Sequence, residues 1–514
     1  MVASAHPAAT AVGARVLEEG GNAIDAALAM AAVTWVAIPA QCGVGGDAFA
    51  LVRDGGSGSV RAIHGSGHGP DGADLAFFAA RGVASVPLTG PFSIAVPGAV
   101  SAVAALGELG ASRPLAELFA PAAALARRGT TVSRRNAVDL AGCSSMLLAD
   151  PGSASVFARG GRVAREAELL VQEDLAATID AIGSDPDGFY RGALAERLVS
   201  ALRSLGTPLS GEEWADQRAL VCEPVTTRYA GHDVHSTLPP SPGYMIAQQL
   251  GLCGSALAGS ALLGADAVAT MARAAARSFA DRFSVVGSDQ DAWRSLLSGE
   301  AVASARAGLA GRPLVAPVHR GGDTTSFVVV DADHNAVSFI HSNAFTFGSG
   351  ITVPGTGVLM NNRLARGAYL LDGHPNALAP RRRPMSTLAA WIATAPDGSL
   401  RAAGGTPGGD GQVQWNVQLL SHLLDHGLEP QEAVDAPRFS VAPGSDANAI
   451  ESPLRLSCES RLGEEVVASL VADGLPAVTV GAWAGGGGAQ VVEVRDGALY
   501  GGSDSRQDGH AQGS

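Results

Sequence analysis

The chain has 514 residues, 46% of them hydrophobic and 16% charged. That is enough apolar material for a large core and more length than one ordinary domain needs, so one large fold and two closely joined halves both fit. A formal charge of −14 argues against nucleic acid or an anionic membrane surface as the main partner, since either calls for a basic face; an enzyme acting on a small molecule fits better.

The first residues have neither the basic start nor the apolar stretch of a secretory signal, and no apolar run reaches the length of a membrane span, so the expected location is the cytoplasm. Residues 6–19 have helical spacing and stop at Gly20-Gly21, after which Asn22 is placed to cap a second helix of small apolar residues, 23–36. A glycine-rich turn, Cys42 to Asp47, leads into a strand at 48–52, with another at 60–64. The pattern is helical over 98–140 and mixes helices with short strands over 169–281. Residues 301–320, rich in Ala, Gly, Arg and Pro, read as a flexible approach to Gly321-Gly322-Asp323. From Thr325 the texture changes: 325–331 alternates as a strand, 332–335 turns, and 336–342 returns as the second arm of a hairpin. Further strands are expected at 357–361, 387–394, 400–403, 489–494 and 498–501, with helices at 412–424 and 430–434. Helices dominate the first part and strands the second, which suggests sheets held between helical layers.

Five cysteines, Cys42, Cys143, Cys222, Cys253 and Cys458, form no CxxC pair and read as inert thiols, neither a disulfide framework nor a zinc site. His64 and His374 lack metal-ligand spacing, and no metal or organic cofactor is expected. Two segments carry more chemistry. Gly321-Gly322-Asp323-Thr324-Thr325-Ser326-Phe327 has two readings: a loop entering a sheet, where threonine is at home, or a peptide bond, Asp323–Thr324, that is cut so that the freed amine of Thr324 activates its own hydroxyl. Gly404-Gly405-Thr406-Pro407-Gly408-Gly409, between a strand and a helix, is either a tight turn or a hole in which the Gly408 and Gly409 N–H groups meet a developing oxyanion. Spacing alone favours the turn. No Lys-Ser/Thr follows the glycines, which speaks against phosphate binding.

A series of segments in register from residue 2 to 511 carries a resemblance: "VASAHPAATAVGARVLEEGGNAIDAALA", "CGVGGDAFALV", "AVPGAVSA", "GGDTTSFVVVDADHNAVSFIHSN", "FGSGITVPGTGVLMNNR", "HPNALAPRRRPMST", "GGTPGGDGQ" and "GGSDSRQDGHA". Together they resemble the γ-glutamyltransferase family of N-terminal-nucleophile hydrolases, with the middle third the weakest. The resemblance implies an α+β fold, a four-layer αββα sandwich formed jointly by two subunits of one precursor: a large subunit, 1–323, and a small subunit, 324–514, beginning at the nucleophile Thr324. It puts Ser342 where the family has a threonine that hydrogen-bonds the nucleophile, and Gly408 and Gly409 at the oxyanion pair. Ser386 and Thr387 fall on a Ser-Ser pair that helps hold a substrate carboxylate, and Asp504 and Arg506 fall in the last segment as a structural ion pair.

The departures from the family are as informative. Its carboxylate-clamping arginine falls in Ser66-Gly67-His68-Gly69-Pro70, where there is none, and its ammonium-pairing acidic run reads Arg363-Leu364-Ala365-Arg366. The Asn expected two residues past Ser342 is Ala344, with Asn343 next door as a substitute. Arg363, Arg366 and His68 are therefore expected to make the pocket more positive and to favour an anionic or oxalyl-like acyl group over a zwitterionic glutamyl group. His341 alternates to the opposite strand face from Ser342 and reads as packing.

The expected protein is a self-processing threonine hydrolase that cleaves an amide or acyl bond through an acyl-enzyme, with its two subunits as partners and a higher oligomer open. Alternatives are hydrolytic C–C cleavage releasing oxalate or a similar acid in secondary metabolism, true γ-glutamyl hydrolysis or transfer, and an uncleaved binding protein.

Overall fold

The computed structural model describes residues 1–286, 291–309, 324–442 and 454–514. Two antiparallel sheets form its centre. The first has seven strands, in spatial order His510–Gln512, Val2–Ser4, Thr325–Val330, Ala336–Ser342, Asp47–Arg53, Val60–Gly65 and Leu220–Cys222. The second has six: Ala498–Ser503, Gln490–Arg495, Leu400–Gly405, Ala390–Thr394, His232–Ser236 and Val225–Tyr229.

Strand alternation sorts the first sheet's side chains into two layers. Phe327, Val329, Val337 and Phe339 pack outward against the helices Pro7–Glu18, Ala23–Ala37 and Ala99–Glu108. Val328, Val330, Ala336 and Ile340 point inward and meet Ala390, Ile392, Ala403 and Val492 of the second sheet. The second sheet's far face packs on Gly243–Cys253, Ala265–Ser284 and Gly411–Leu424. The result is the αββα sandwich of N-terminal-nucleophile hydrolases. Ala23–Ala37 is buried along its whole length, which suits a helix that is apolar all round, and its start carries the Asn22–Asp25 capping box.

The hairpin lies at 325–330 and 336–342. One expectation fails: residues 301–307, placed in a flexible approach, belong to the α-helix Gly299–Ala307, capped by Ser298, whose side chain accepts from Ala301 N–H. Alanine's helix propensity and that cap outweigh the weak apolar pattern. Residues 310–320, and Asp323 with them, lie outside the described residues.

Candidate active site

The register of the first sheet places four polar side chains in one row. Thr325 faces His341, so Thr324 stands opposite Ser342; Ser342 faces Asp47; Ala48 faces Gly65, so Asp47 stands opposite Ser66. These four share the inward face with Val328, Ile340, Phe49 and Ala62, at the end of the sheet where the apolar inter-sheet core stops. Thr324 Oγ1 donates to Ser342 Oγ at 3.1 Å, and Ser342 Oγ also accepts the Ala344 N–H at 2.9 Å. Both hydroxyls are buried.

Asp47 continues the row. Its Oδ1 accepts the Gly67 N–H at 2.9 Å and its Oδ2 accepts Arg363 Nε at 2.7 Å. Arg363 is 0% exposed, and its Nη1 and Nη2 have no hydrogen-bond partner among the described residues. Burial pulls its pKa down from the ordinary guanidinium value while Asp47 pulls it back up; Arg366 and Arg282 stand close enough to act in the same direction as burial. Arg366 is buried with its guanidinium over the Phe345 ring, 4.7 Å from the centroid. The short helix Arg363–Gly367 is tied to the segment that follows the 325–342 hairpin by Asn362, whose N–H donates to the Asn343 carbonyl at 3.1 Å and whose Oδ1 accepts the Phe345 N–H at 3.0 Å.

The glycine loop follows the Leu400–Gly405 strand, which runs under Ser326 and Ser338 of the first sheet; Ser338 Oγ donates to the Gly404 carbonyl at 2.8 Å. Gly408 and Gly409 have φ of +125° and +59°, and among the described residues neither N–H donates a hydrogen bond. A Cβ at Gly408 would lie 2.1 Å from a Trp415 ring carbon, so both torsion and space demand glycine there. A cavity of about 450 Å³ opens beside Gly408, with Thr346, Trp415, Arg135 and Asp139 in its wall.

Ser386 is fully buried, and its carbonyl accepts from Arg282 Nη2, whose Nη1 sits 3.4 Å from Asp410, the residue after Gly409. Arg282 thus links the Ser386-Thr387 segment to the glycine loop. Asn343 points away from the row: its Nδ2 donates to the Pro39 carbonyl at 3.3 Å, and its amide packs on Gly43 and Gly46. His68 is corrected as a source of positive charge. Burial, with Arg383 and Arg381 beside it, lowers its pKa to about 4, so it is neutral at neutral pH. His341 lies on the opposite face, its Nε2 3.1 Å from Thr34 Oγ1.

Asp47 and Arg282 are the two site residues that sequence reasoning missed. Each carried a signal. Asp47 has the inward parity of Phe49 and Leu51, and Arg282 falls on the apolar stripe of Val268, Ala272, Ala275 and Phe279; a charge at a core position needs a buried partner.

A family model described as Gamma-glutamyltranspeptidase matches residues 9–514. The chain belongs to that family. It is 32% identical over 524 residues to the glutathione hydrolase-like YwrD proenzyme of Bacillus subtilis, covering 100% of this chain and 98% of the relative. It is 32% identical over 535 residues to the oxamate amidohydrolase proenzyme of Klebsiella pneumoniae, again covering 100% and 98%. Among solved structures, the cephalosporin acylase of Bacillus halodurans superposes with a TM-score of 0.90 at 30% identity, covering 100% of this chain and 95% of that one. This γ-glutamyltranspeptidase-family protein is thus an enzyme of the N-terminal-nucleophile hydrolase and transferase class, and the Bacillus subtilis and Klebsiella pneumoniae relatives are named as proenzymes.

Proposed function

We propose that the precursor cuts itself between Asp323 and Thr324, leaving a large subunit, 1–323, and a small subunit, 324–514, and that Thr324 then works as the nucleophile of an amidohydrolase. The observation that carries this reading is the buried 3.1 Å contact between Thr324 Oγ1 and Ser342 Oγ at the end of the inter-sheet core. A hydroxyl alone is a poor nucleophile, but a freed α-amine has a pKa near ~7.7, so at neutral pH about a sixth of it is unprotonated and able to accept the hydroxyl proton.

In this cycle the Thr324 oxygen bonds to the substrate carbonyl carbon as its proton passes to the α-amine. The carbonyl π electrons move onto oxygen, where the Gly408 and Gly409 N–H groups receive the charge. When the tetrahedral intermediate collapses, the C–N bond breaks and the proton goes from the ammonium to the leaving amine. The Thr324 ester remains. Water, its proton taken by the same amine, then releases an acid and restores the threonine. Ser342 holds the attacking oxygen, and the cavity beside Gly408 offers room for the leaving group. Relatives named as an oxamate amidohydrolase, a cephalosporin acylase and a glutathione hydrolase-like protein support acyl transfer from an amide.

Thr324→Ala tests it. The variant should run as one uncut chain and lose at least about 10⁴-fold in turnover of any amide substrate the wild type accepts. A cut, active variant would overturn the assignment. One amine released per acid marks amide cleavage, whereas acid without amine would transfer the same machinery to a C–C bond.

A further inference from the structure

Arg363 is built unlike a structural arginine. In protein interiors the large majority of buried side-chain polar atoms have a hydrogen-bond partner, and a guanidinium offers five donors in a fixed plane. Here one of its nitrogens, Nε, is pinned by Asp47 at 2.7 Å, which fixes the plane of the group, while Nη1 and Nη2 have no partner among the described residues. Asp47 is a register partner of Ser342, which touches Thr324. Neighbouring strands are ~4.8 Å apart, so Asp47, whose carboxylate pins the guanidinium, stands two strand spacings from Thr324 in the row. Both Asp47 oxygens are already engaged, by Gly67 and Arg363. The row therefore offers a cation with an open end and no open acid.

We propose that Arg363 selects the acyl group: its Nη1 and Nη2 form a fork for a carboxylate carried on the acyl side of the scissile bond, so the substrates are mono-amides of small dicarboxylic acids. The proposal rests on the reading of Thr324 as nucleophile and adds the substrate class. Asp47 is the positioning residue, fixing Nε of the guanidinium beside the row. A two-point fork matches the planar carboxylate, which a point charge does not. A γ-glutamyl donor brings an ammonium as well, and at this place it would meet Arg363 with no free carboxylate to receive it.

The test uses the processed enzyme and p-nitroanilides of oxalic, malonic, succinic and glutaric acids, each beside its methyl ester, which has the same acyl chain without the charge. For the best acid, kcat/KM should exceed that of its ester by at least about 30-fold, the range of hydrogen bonds to a charged group. Arg363→Lys, which keeps the charge and loses the fork, should cut that ratio about tenfold. The Asp47→Asn/Arg363→Gln pair, which avoids leaving Asp47 unpaired, should bring it to within about threefold of unity. Calorimetry with free oxalate, malonate, succinate and glutarate against acetate, propionate and butyrate reads the same site without turnover, and the best diacid should bind at least about 30-fold tighter than any monoacid. Equal use of acid and ester by the wild type overturns the inference and leaves Thr324 in place. If none of the anilides turns over, calorimetry decides, and equal binding of diacids and monoacids overturns it. A chain without an N-terminus at 324 that still prefers diacids keeps the carboxylate site and removes the nucleophile.

Discussion

Two of the buried charge clusters among the described residues are finished differently. Near the C-terminus, Arg506 donates through all three nitrogens: to Glu459, to Asp504 at 3.0 Å and to the Val434 and Ala436 carbonyls. Arg438 bonds Asp504 and the Gly486 carbonyl, and Glu459 and Asp504 take further N–H groups from Arg438, Gly485, Ala489 and Arg506. Burial works against the charge on Asp504, but Arg438 and Arg506 hold its pKa below the usual carboxylate range. Around Asp47 and Arg363, by contrast, the network stops with two guanidinium nitrogens unmatched. A closed network spends its hydrogen bonds on holding segments together; an open one keeps donors for something that arrives later.

The comparison predicts that the closed cluster answers in stability and the open region in rate. The largest effect should come from Arg506→Met, which takes from Glu459 and Asp504 the cation they share. A loss of about 3–5 kcal/mol in urea unfolding is expected, with little change in the acid-to-ester ratio, and a stable protein with altered ratio would erase the distinction. Next comes Gly408→Ala. Its Cβ would meet Trp415, and φ of +125° suits only glycine, so the N–H proposed to receive the oxyanion should shift; kcat should fall about 10²-fold or more with a smaller change in KM. Trp415 also borders the closed cluster, since Arg438 lies over its ring at 5.6 Å.

The smallest effect concerns acid. Burial lowers the His341 pKa to about 3, below the unfolded value near ~6.5. Its folded form favours the neutral ring, so its contribution is complete above the unfolded pKa and is lost as pH falls through the window toward 3. His341→Gln, which keeps a partner for Thr34, should flatten the pH dependence of the urea midpoint there. An unchanged slope would show that other groups carry it.

Much of the fold was legible in the sequence because it is written in local signals: the Asn22 cap, the alternation of 325–330 and 336–342, and the glycines around Gly408. The site was legible only in part. The Asp504–Arg506 pair forms as expected. That Asp47 meets Arg363, 316 positions away, is set by strand register, which no local pattern reveals. The neutral state of His68 depends on desolvation and on Arg383 beside it, and both are tertiary facts.

The most direct measurement is N-terminal sequencing of the purified protein together with mass analysis of its small subunit during turnover of a slow acyl donor. The account predicts a chain beginning at Thr324 that gains the acyl mass on its first residue. An active preparation in which no chain begins at residue 324 would contradict it.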